Sequence, residues 1–287
     1  MRRDQVGRLA GAALVQVVDV PTGSIMATIS TGGKNRADEL AYDPKHGLIV
    51  IANDADDPPF LSFIDVGSRQ VVKKLEFPDA TNGLEQPAFD SASGLMFQAV
   101  PESKANPGGE IAVLDDAKMA VTATYPLTDC TPHGVIVGPN HQVLVGCNVD
   151  GRTIVLDGTN GRVLADMNQT GGSDEVWFNP GDGRYYTASR ANPGAVPNGS
   201  NPTTNPVLGV IDAESRTLVQ LVPTFNTPNP TQPTPRGTAH SVAVNAHNNH
   251  AFVPLPANNV FPGCLTGCIA VFGAPRNGDD EEGNHDR

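Results

Sequence analysis

The chain has 287 residues, with 30 glycines, 25 prolines and only 17% charged residues. That mixture suits many short strands joined by turns and argues against helical bundles. The formal net charge of −12 removes the positive potential that nucleic acid or an anionic membrane surface requires, and no run of about 18 apolar residues is present to suggest a transmembrane helix.

The chain opens on "MRRDQVGRLAGAALVQVV", which faintly resembles a signal peptide. However, "VQVVDVPTGSIMATIS" repeats a strand–turn–strand pattern found downstream, so this stretch is read as part of a domain. Five similar units follow: "DELAYDPKHGLIVIAND…FLSFIDVGSRQVVKKLEF", "EQPAFDSASGLMFQAVPE…EIAVLDDAKMAVTATYPL", "HGVIVGPNHQVLVGCNVDGRTIVLDGTNGRVLADMN", "DEVWFNPGDGRYYTASR…VLGVIDAESRTLVQLVP" and "HSVAVNAHNNHAFVPLP…CIAVFGAP". Each has an apolar run, a polar turn, a second run, a variable loop and a third run ending near Asp. Most add a tight turn and a fourth run.

Four short strands repeating at about 40–50 residues predict an all-β fold, a β-propeller of four-stranded antiparallel blades labelled A to D from the axis outward. Five inner strands are visible. The first segment supplies only a third and a fourth strand, and the last unit lacks its fourth. Either the ring has few blades or the chain is part of a six- or seven-bladed ring. Residues 1–275 are assigned to the propeller and 276–287 to an acidic, solvated tail, expected to be disordered.

The repeats resemble the YVTN/NHL class of bacterial β-propellers through "IDVGSRQVV", "LDGTNGRVL", "IDAESRTLV" and "PHGVIVGP". More loosely they resemble the SMP-30/gluconolactonase group. The second resemblance implies a metal-dependent hydrolase of lactonase type. That group sets Glu, Asn and Asp around its metal, whereas this chain carries two histidines and lacks the matching asparagines.

The A–B and C–D turns are uniformly short, while the B–C and D–A loops hold the insertions. One face is therefore trimmed and the other elaborated, and binding residues are expected on the elaborated face. His46, His141, His247 and His250 fall in A–B turns on the trimmed face and read as solvated turn residues. The residues five places before the end of each inner strand are Asp38, Glu85, His133, Asp174 and His240. All five are ionisable, and the geometry of a propeller brings these positions together around the axis.

Like charges crowded there need protonation, pairing or a cation. A divalent metal held by Asp38, Glu85, His133, Asp174 and His240 is the simplest remedy. Two imidazoles among carboxylates suit Zn, Mn, Fe or Ni better than Ca. Glu85 and Asp174 are the candidates for acid–base work. Glu39, Asn53, Asn148, Glu175 and Arg190 are the candidates for substrate contact, Arg190 having the alternative of pairing with Asp174 or Glu175.

The expected partner is a small molecule. A wet polar channel, a non-catalytic secreted binding module and a transition-metal redox or lyase enzyme are the competing expectations. Cys130 and Cys147 flank neighbouring antiparallel strands, and Cys264 and Cys268 lie in "CLTGC". Two short-range disulfides are expected from this placement, and with them a periplasmic or secreted location.

Overall fold

A computed structural model describes residues 13–148, 151–190, 206–224, 241–257, 261 and 263–273. Among them the regular structure is twenty-one strands and a three-residue 3-10 turn. None of their helical structure is long and apolar enough to cross a membrane. His240 and the acidic tail lie outside the described residues.

Strands β1 (Leu14–Asp19) and β2 (Ser24–Ser30) form a two-stranded sheet. Blade one follows as β3 (Leu40–Asp43), β4 (Leu48–Asn53), β5 (Phe60–Asp65) and β6 (Gln70–Glu76). Blade two is β7 (Pro87–Asp90), β8 (Leu95–Val100), β9 (Glu110–Asp115) and β10 (Ala120–Pro126). Blade three is β11 (Pro132–Val137), β12 (Gln142–Cys147), β13 (Thr153–Asp157) and β14 (Val163–Met167). Blade four is β15 (Ser173–Asn179), β16 (Arg184–Ser189), β17 (Val207–Asp212) and β18 (Thr217–Pro223). Blade five has three described strands, β19 (Ala243–Asn245), β20 (His250–Leu255) and β21 (Cys268–Phe272). All pairs are antiparallel, and β1 and β2 pair with each other rather than with blade five.

The inner strands β3, β7, β11, β15 and β19 lie side by side in that order, as the repeat predicts. The core lies between blades, not within one. Phe63 and Leu61 of blade one meet Met96 and Leu114 of blade two. Phe97 and Val113 meet Val145 and Leu156 of blade three, and Leu144 and Val155 meet Tyr185 and Ile211 of blade four. Each such side chain contributes about 1.5–3 kcal/mol on burial. Continuous Val/Ile-rich runs are therefore required, because both faces of each sheet are covered. The outermost strands are mostly exposed instead, as in β6.

The recurrent Asp at the end of the third run has a local cause. Asp65, Asp115, Asp157 and Asp212 each accept a backbone N–H from the turn that follows, at 2.6, 3.0, 3.0 and 2.8 Å. These are side-chain-capped turns. The two turn types share a face: Val66 N donates to Gly47 O, Gly158 N to His141 O and Ala213 N to Gly183 O.

Both expected disulfides are present, and none of the four cysteines is free. Cys130–Cys147 joins the lead-in of β11 to the end of β12, and Cys264–Cys268 closes a short loop before β21.

Candidate functional site

Glu85 stands just before β7, and His133 and Asp174 stand second in β11 and β15, so the three come from the starts of three successive inner strands. Each places a donor atom within 4.8 Å of the others. His133 Nδ1 lies 3.0 Å from Asp174 Oδ1 and 3.4 Å from Glu85 Oε1.

Two β-bulges produce this aim. The β11–β12 register shifts between Pro132 and Gly134, and the β15–β16 register between Ser173 and Val176. A bulge leaves residues unpaired and redirects their side chains. His133 occupies the first bulge, and Asp174 with Glu175 the second. Beyond the bulges, the N–H groups of Val135 and Val176 both donate to Gln86 Oε1, at 2.9 and 3.2 Å. The backbone N–H of Gln86 also donates to His133 O at 3.2 Å. Buried Gln86 therefore ties blades two, three and four together directly beneath the mouth. The sequence reading passes over this residue, although a glutamine between Glu85 and Pro87 at a strand start is a visible signal.

Arg190 takes the pairing alternative. Its Nη2 donates to Asp174 Oδ1 at 2.9 Å and to Asn148 Oδ1 at 3.2 Å, and its Nε to Gly172 O at 3.3 Å. Arg190 and Asn148 are thereby brought to the same mouth. Asp38 is held to one side by Arg36, at 2.8 Å, and Arg36 also binds Asp54 at 2.7 Å. That hydrogen bond raises the Arg36 guanidinium above its ordinary value. Arg36 is a second residue the sequence reading missed.

The mouth is strongly acidic. Burial, reinforced by Glu85, Glu175, Asp174 and Asp38, pushes the Glu39 carboxyl up to about 10. One Glu39 oxygen, Oε2, is buried without a hydrogen-bond partner. Burial also pushes Glu85 up to about 7, with His133 opposing and Asp174 and Asp38 adding to the shift.

Two expectations need correction. Asn53 is fully buried and has no surface to offer a substrate. Its side chain accepts from Thr31 Oγ1 at 2.5 Å and donates to Ser62 Oγ at 3.1 Å, so it joins β4 to β5 and to the segment after β2. The turn histidines also differ from free solvated residues. His46 Nδ1 lies 2.7 Å from Asp43 Oδ2 and 3.0 Å from Asp116 Oδ2, both carboxylates being buried. His141 Nδ1 lies 2.6 Å from Asp90 Oδ2. His247 is exposed, and His250 packs edge-on against Phe252.

No family model matches the chain, and no curated protein matches it. Among solved structures it is similar to a chain of the Kuenenia stuttgartiensis hydrazine synthase, at 14% identity and a TM-score of 0.66. The match covers 84% of this chain and 67% of that one. At that identity the likeness supports the β-propeller fold and carries nothing about chemistry.

Proposed function

We propose that the axial mouth is a divalent-metal centre, and that the protein is a metal-dependent hydrolase of lactonase type acting on a small molecule. The supporting observation is the convergence of Glu85, His133 and Asp174 from three blades. The buried, unpartnered Glu39 Oε2 supports a cation at this mouth, since a buried carboxyl oxygen with no partner is costly. One imidazole among several carboxylates favours Zn, Mn, Fe or Ni over Ca. Glu85, His133 and Asp174 would hold the ion, with Asp38 and His240 as the further ligands expected from the strand alignment. A bound ion of this kind polarises a carbonyl and acidifies water.

The chain's own groups divide the remaining work. Asp174 is engaged by both His133 and Arg190, so besides offering a ligand oxygen it orients the imidazole. Glu85 is the less engaged carboxylate; without the ion its value is about 7, so release of its proton near neutrality would accompany binding of the ion. Arg190, beside Asn148, is the group to hold a substrate's anionic or carbonyl oxygen, with Glu39 and Glu175 as the further candidates for substrate contact. The two disulfides support action in the periplasm or outside the cell.

The test is elemental analysis of protein purified without chelator, followed by pH-stat assay against aliphatic lactones. About one equivalent of a transition metal and chelator-sensitive hydrolysis are expected, both lost in His133→Ala. Protein that neither retains nor takes up metal overturns the proposal.

A further inference from the structure

The trimmed face carries a second arrangement that owes nothing to the acidic mouth. Five A–B turns of equal length occur at 43–47, 90–94, 138–142, 179–183 and 245–249. Four place a left-handed residue at the fifth position: Gly47, Gly94, Gly183 and Asn249. The turn of blade three does not. There Asn140 and His141 are left-handed instead, at φ 54° and 58°. Two consecutive non-glycine residues in that region are strained, and such strain persists where the surroundings enforce it. The first position differs as well. Gly138 stands where the other turns have Asp or Asn, and a Cβ there would lie 1.9 Å from the Tyr185 hydroxyl oxygen. That hydroxyl is buried and has no hydrogen-bond partner.

The altered turn delivers His141 to the neighbouring blade. Its Nδ1 meets Asp90 Oδ2 at 2.6 Å, and Asp90 is oriented by Ser93 Oγ at 2.7 Å and Ala92 N at 3.0 Å. In the tautomer whose Nδ1–H donates to Asp90, Nε2 is left as an acceptor. His141 lines a cleft of about 450 Å³ walled by Phe89, Val137 and Phe178, one from each of three successive inner strands. Asn140 and Ser91 form its polar rim. Apolar walls with a few polar groups between them, here Asp90, Ser91, Asn140 and His141, suit a small ligand that carries both an apolar body and a polar substituent.

We propose that this cleft is a second small-molecule site, and that it binds a hydroxylated aromatic compound of the phenol class. The ring packs on Phe89 and Phe178, and the hydroxyl donates to His141 Nε2. The Asp90–His141 pair selects for the hydroxyl because its Nε2 loses a hydrogen bond when an unhydroxylated ring takes the same place.

The experiment is calorimetric titration of the full chain with p-cresol and, in parallel, with toluene. The expected result is that p-cresol binds about fivefold more tightly, the usual worth of one hydrogen bond, and that His141→Gln removes this preference. Because that substitution falls in a strained turn, wild-type protein with isotope-labelled histidine rings provides an independent readout. The His141 resonances should shift saturably with p-cresol while those of His133 stay fixed. Equal affinity for the two compounds, no p-cresol binding at millimolar concentration, or a shift at His133 instead of His141 would each overturn the proposal.

Discussion

His133 Nδ1 lies 3.0 Å from Asp174 Oδ1, although the two residues belong to different blades and are 41 positions apart. The same Asp174 oxygen accepts from Arg190, so one carboxylate aligns an imidazole and a guanidinium together.

Removal of the two partners should therefore have graded effects on metal binding. Arg190→Ala leaves the three donor atoms in place and should weaken affinity about 10–100-fold, as loss of an orienting neighbour does. Asp174→Asn should cost more, since a ligand and an orienting charge go together. Competition against a chromogenic chelator measures both, and an Arg190 variant weaker than the Asp174 variant would contradict the proposed roles.

Glu39 should make metal-free protein less stable as pH rises. Its folded value is about 10 against an ordinary 4.5. Above about 4.5 the unfolded chain ionises while the folded chain stays protonated, so this group's contribution is fully present at lower pH and declines up to about pH 10. Glu39→Gln keeps the neutral shape and removes that decline. Melting curves in chelator should show a stabilising difference that widens between pH 5 and 9, by about 2–4 °C for each kcal/mol. A difference that does not vary with pH would mean that Glu39 has a partner in solution.

The clasp of His46 has the opposite group and a defined window. Its hydrogen bonds to Asp116 and then Asp43 raise the imidazole above 6.5. A raised histidine contributes fully below its unfolded value, and the contribution is lost as pH rises through the folded one. His46→Gln should therefore lower the melting temperature most at about pH 6, and progressively less at alkaline pH. Equal destabilisation at both ends of the range would mean that the link between blades one and two does not depend on charge.

Replacing Cys130 and Cys147 together by Ser should cost about 2–4 kcal/mol, because that bridge spans 17 residues. The Cys264–Cys268 bridge spans only 4 and should matter less, since a shorter closed loop restrains the unfolded chain less. Urea unfolding of the two double variants gives the order directly. Thiol titration of denatured, unreduced protein should find no free thiol.

The repeat, the strand positions within each blade, the trimmed face and both disulfides are legible from residue order alone. They depend on short-range facts: alternating apolar runs, Asp65-type turn caps, and cysteines at the ends of paired strands. The lead-in alignment also identifies Glu85, His133 and Asp174, because equivalent positions of a repeat meet at its axis. What residue order does not reveal is which of these side chains touch. That is decided by the bulges at His133 and at Asp174 and Glu175, and by Gln86 holding their backbones from another blade. Residue order also leaves open the aim of side chains inside blade one: Asn53 reads as a mouth residue yet folds inward, and Arg36 reads as loop yet binds Asp38. Tertiary packing also accounts for His141 and His46: only the packed blades bring Asp90 within 2.6 Å of the one and Asp116 within 3.0 Å of the other. Strand pairing within a blade follows from local pattern, whereas side-chain contacts depend on how bulges and neighbouring blades aim them, which no local pattern encodes.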